Sequence, residues 1–93
     1  CSYQAYESWD KELNKSYNLL LARLNPKERE LLIAAQRNWI IYRDAEFSAI
    51  DAIYYGNLEG TMYYPMRIVD RMRIVKDRAL QLQGYLLLLN ENL

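Results

Sequence analysis

From Pro26 to Tyr55 the chain has no glycine, no further proline, and apolar positions that return every three or four residues. A run of that length and period predicts one α-helix of about 45 Å, since strands are far shorter and alternate with period two. Its ends are marked as well. Asn25 suits the N-cap, Pro26 the first helical position and Glu28 the position from which a carboxylate reaches back in a capping box. Gly56 suits a left-handed cap that ends the helix.

Two further helices follow from the same reading. Over residues 3–24, Tyr6, Trp9, Leu13, Tyr17, Leu20 and Leu24 fall on one face, with Glu7, Lys11, Glu12 and Lys15 largely off it. A third helix starts between Thr61 and Pro65 and runs to about Leu89. Its expected buried stripe is Ile68, Met72, Val75, Ala79, Leu82 and Leu86, widened by Val69, Leu80 and Leu87. Short connections make consecutive helices antiparallel neighbours, so the expected fold is an all-α, up-down-up antiparallel three-helix bundle. It forms one domain over 1–93, with helices at about 3–24, 26–55 and 62–89.

The second helix carries polar groups on the face that should enter the core. Leu32, Gln36, Trp39, Arg43, Glu46 and Ile50 share that face. Arginine and glutamate are seldom buried unpaired, so an Arg43/Glu46 cluster beside Trp39 is expected, with Gln36 adding hydrogen bonds. Either a structural network or a binding site fits this pattern. The network is expected to face helix one near Asp10, Asn14 and Tyr17.

The segment Ala35-Gln36-x-x-Trp39-x-x-x-Arg43-Asp44-Ala45-Glu46 follows Cys1-x-x-x-Ala5-Tyr6-x-x-x-Asp10-x-x-Leu13-Asn14-x-x-Tyr17. Together the two motifs resemble the LprI-type lysozyme inhibitor family of small exported bacterial helical domains. The likeness covers residues 1–55 well and the third segment more loosely through Arg78. It implies a protein partner, a lysozyme, and an envelope or periplasmic location, with the signal peptide outside this chain. It also implies a cysteine after the Arg-Asp-x-Glu run and another in the third segment. This chain has Phe47 at the first place and no cysteine at the second, so Phe47 is expected to pack near Ile68 or Met72 where a disulfide would have spanned. Cys1 occupies a family cysteine position; upstream pairing, lipidation and an inert thiol all remain open for it.

Composition narrows the chemistry. The chain has no histidine, one cysteine and three glycines, which removes the commonest general base, Ser-His and Cys-His nucleophiles, two-cysteine zinc corners and a phosphate-cradling loop. Carboxylate pairs remain at Asp44/Glu46 and Asp70/Asp77, as any charge-rich bundle would offer, so no enzyme activity, metal or cofactor is expected. With 12 basic and 12 acidic residues the net charge is zero, without the basic footprint of a nucleic-acid binder. The longest obvious apolar run, the five residues Tyr85 to Leu89, matched in length by Leu31 to Ala35, falls far short of the roughly 20 residues a membrane span needs.

Charge is unevenly placed. Asp44, Glu46, Asp51 and Glu59 lie in a stretch free of Lys and Arg, whereas Arg67, Arg71, Arg73, Lys76 and Arg78 outnumber Asp70 and Asp77 in helix three. That basic stretch reads as a solvated face, as partners for Asp10 or Glu46 through Arg73 or Arg78, or as an anionic-membrane face. Tyr54, Tyr55, Tyr63 and Tyr64 crowd the turn between helices two and three. Such tyrosines either close the core or form a recognition surface. The expected partner-binding tip is Asp51, Tyr54, Tyr55, Asn57, Glu59, Tyr63 and Tyr64, its acidity steering a basic lysozyme and its protrusion blocking the cleft. Against this occlusion reading stands an assembly module that packs on another copy or on an upstream segment, signalled by exposed Ile33, Ile40 and Ile41.

Overall fold

The computed structural model describes residues 2–57 and 63–91, with side chains described within 4–56 and 66–90. Three helices make up the described chain: α1 (Ser2–Arg23), α2 (Pro26–Asn57) and α3 (Tyr63–Glu91). The capping box at the start of α2 is formed in both directions. The Glu28 amide donates to Asn25 Oδ1 at 2.8 Å, and the Asn25 amide donates to Glu28 Oε1 at 3.0 Å. Pro65 lies in the first turn of α3, where its missing N–H costs nothing.

Gly56 does not end α2. The helix continues through it to Asn57, and its backbone does not enter the left-handed region. Glycine permits that conformation but does not impose it.

Cross-helix contacts set the directions. Tyr6 on α1 lies beside Phe47 on α2, and Arg71 on α3 covers the same ring. At the opposite end, Arg23 donates to Asn90 and to the Leu89 carbonyl, and Arg29 donates to the Leu21 carbonyl at 2.7 Å. α1 and α3 therefore run the same way with α2 reversed, which is the expected up-down-up order. The packing is less even than the expected bundle of sequential neighbours. α3 is the helix on which both others pack, and α1 and α2 hardly approach each other through their backbones. The molecule measures 52 × 24 × 16 Å.

The core is narrow and belongs to α1 and α3. Leu13, Leu20, Val75, Ala79 and Leu82 are buried, and Tyr6, Trp9, Tyr17, Leu32, Trp39, Phe47, Leu86 and Leu89 pack around them half-buried. Leu80 and Leu87, expected to widen the α3 stripe, are exposed, because α2 covers only one side of α3. Among the described side chains of α2, Gln36 alone is buried.

Candidate functional site

The last turns of α2 and the first turns of α3 form one end of the described bundle. Tyr6 on α1 and Phe47 on α2 meet near it, with ring centroids 6.3 Å apart. From Phe47, α2 continues for ten residues, to Asn57, about 15 Å at the α-helical rise.

A carboxylate clamp braces this end. Asp51 accepts from Arg67 Nη1 at 2.7 Å through Oδ1 and from Arg71 Nη2 at 2.6 Å through Oδ2. Arg67 and Arg71 lie one turn apart, so both guanidiniums reach one carboxylate across the helix pair. Burial alone would raise the Asp51 pKa, but the two hydrogen bonds and the two positive charges outweigh it and hold the carboxyl below its ordinary value. The Tyr54 hydroxyl donates to Asp70, which raises the tyrosine pKa, as do burial and the Asp70 charge. Arg73 stands 3.9 Å from Asp70 on the same helix.

Aromatic rings and arginines alternate down the α2/α3 seam. Arg67 lies 5.3 Å over the Tyr55 ring, Arg71 4.7 Å over Phe47, and Arg43 5.9 Å over Phe47 and 5.5 Å over Trp39. Phe47 thus fills the space between α1 and α3, and on α3 it meets Arg71, next to the expected Met72. Below this ladder Arg78 is buried, donating to Gln36 Oε1 at 3.0 Å and to Gln81 Oε1 at 2.6 Å. Desolvation lowers its pKa.

Several expectations are corrected by this geometry. Among the described tip residues Asp51 is not a free acidic charge, because two arginines of the neighbouring helix pair with it. The polar network does not face α1. Gln36 joins Arg78 across α2 and α3, and Arg43 donates from Nε and Nη2 to Asp44 at 3.0 and 2.9 Å, leaving Glu46 outside that pair. Asp10 is half-buried and Asn14 exposed, and no described hydrogen bond links either to Gln36, Arg43 or Arg78. Arg73 finds Asp70, and Arg78 finds two amides, where Asp10 or Glu46 was expected. The shared reason is that α2 turns Gln36 and its arginine-facing side chains toward α3 and hardly approaches α1 through its backbone.

Arg67 and Arg71 were missed as site residues. Their four-residue spacing opposite Asp51 in an antiparallel pair was the available signal. Of the remaining tip residues, Tyr55 is 69% exposed and Tyr54 half-buried. The side chains of Asn57, Tyr63 and Tyr64, and all of Glu59, lie outside the described residues.

Two grooves lie away from the tip. One of about 230 Å³ is lined by Trp39, Tyr42, Ile74, Asp77, Arg78 and Gln81, and an apolar one of about 260 Å³ by Leu20, Leu24, Leu32, Tyr85, Leu88 and Leu89. No group of residues able to hold a metal ion occurs among the described residues, and no helix there is long and apolar enough to cross a membrane.

Compared with known proteins, residues 1–82 match the family model described as Lysozyme inhibitor LprI. No curated protein and no solved structure matches the chain.

Proposed function

The chain belongs to the LprI lysozyme inhibitor family, and from that membership we propose that it binds a lysozyme stoichiometrically in the bacterial envelope and occludes the cleft with the α2/α3 end. The observation that carries this reading is the braced α2/α3 end. Its two helices are cross-linked by the Asp51 clamp, and it presents exposed Tyr55 and Met66. Large exposed side chains on a rigid support are what an occluding surface requires, because little ordering entropy is lost on contact.

Charge plays a different part than the sequence suggested. With Asp51 bound to Arg67 and Arg71, the described tip has no excess of negative charge to steer a basic enzyme. Binding then depends on Tyr55 and Met66 as anchors, and it acts mainly through the dissociation rate.

Surface-immobilised lysozyme tests the assignment. Tyr55→Ala and Met66→Ala should each speed dissociation with little change in association rate, whereas a Lys11→Glu/Lys15→Glu control on exposed α1 should change neither. Equal dissociation rates for parent and tip variants would move the contact away from this end.

A further inference from the structure

The outward face of α2 carries a charge-free stripe that no helix of this molecule covers. Leu31, Asn38 and Ala45 repeat at seven-residue intervals, and Ile41, Tyr42 and Ala49 fill the positions between. All six are exposed, with Leu31 at 65%, Ile41 at 68% and Tyr42 at 52%. From Arg37 to Asp51 every charged residue of α2 falls off the stripe. Ile33, Ile40 and Ile41 do not make this patch: Ile33 is half-buried, and Ile33 and Ile40 lie on a different line of the helix from Ile41.

A seven-residue repeat with apolar and small residues and a single Asn is the pattern of a helix that packs on another helix along its length. We propose that a second copy of this chain covers the stripe, α2 against α2 in antiparallel orientation. The edge charges select that partner. Arg37 and Asp44 are exposed on the same edge of the stripe; Arg37 forms no ion pair among the described residues, and Asp44 accepts from Arg43 through Oδ1, which leaves Oδ2 for a second arginine. Turning a second α2 end for end about a two-fold axis near Ile40 brings Arg37 of each copy to Asp44 of the other, giving two reciprocal pairs. A parallel pair would leave the two on one side with no opposite charge across the seam.

The same register avoids large against large at these positions. Leu31 comes opposite Ala49, Ala35 and Ala45 allow close approach, and Asn38 lies beside the Tyr42 hydroxyl. Antiparallel helices also set their macrodipoles favourably.

Sedimentation velocity over a concentration series tests the pairing. The parent should shift from monomer to dimer. Ala45→Glu should stay monomeric at unchanged helical content, since the position is exposed and glutamate is a good helix former. Arg37→Asp and Asp44→Arg should each weaken association about tenfold or more, and the double variant should recover it. A parent that stays monomeric to about 1 mM overturns the proposal, as does a double variant that fails to recover. The stripe lies apart from Tyr55 and Met66, so Ala45→Glu should bind lysozyme like the parent, and the two proposals can fail separately.

Discussion

Among single residues, Arg78 and Asp51 carry the largest expected consequences. Arg78 is 8% exposed and bonded to two glutamines but to no carboxylate. Arg78→Ala removes the donor from buried Gln36 and leaves a cavity beside Val75 and Leu82, so urea denaturation should show a loss of about 2–4 kcal/mol. Arg78→Met keeps the apolar stem and should lose less. Arg43→Ala is a milder change than its helical face suggests, because its carboxylate partner Asp44 is mostly solvent-exposed and a surface pair contributes about 0–1 kcal/mol. Asp51 also predicts a pH dependence. Its folded pKa lies below the ordinary value of 3.8, so the unfolded chain binds more protons in that window and stability rises with pH there. The contribution is full above the ordinary value and is lost as pH falls through the folded one. Acid denaturation of Asp51→Asn should therefore begin from a lower stability near neutral pH and fall less steeply below about pH 4; matching acid limbs for parent and variant would contradict the clamp.

At the scale of elements, α2 is the helix held least by apolar burial. Its inward face offers Gln36, Trp39, Arg43 and Phe47, and its attachment to α3 is made largely of hydrogen bonds, ion pairs and arginine–ring contacts. Native-state hydrogen exchange should accordingly find weaker protection in α2 than in the central part of α3, with the α2 protection rising with protein concentration if the second-copy pairing forms. The capping box gives a local check: Asn25→Ala should cost about 1 kcal/mol by calorimetry. The three helices, the α2 N-cap and the inner stripes of α1 and α3 were legible because each rests on local spacing. The partner of each face was not. Periodicity shows that Gln36, Trp39 and Arg43 share a side, but whether α1 or α3 meets that side depends on how α2 tilts away after the short turn at Leu24 and Asn25. For the same reason the acidic stretch ending in Asp51 read as a free surface until Arg67 and Arg71 were brought across from α3.

For the whole molecule, the proposed stoichiometric binding rests on family membership and on an α2/α3 end braced by ion pairs in a body 52 Å long and 16 Å thin. The most direct measurement is a titration of lysozyme activity against bacterial cell walls with increasing amounts of the purified protein. Activity should fall linearly and reach its floor at a fixed molar ratio, with Tyr55→Ala needing at least about tenfold more protein to reach half-inhibition. Undiminished lysozyme activity at saturating protein, or equal titration curves for parent and Tyr55→Ala, would contradict the proposed occlusion.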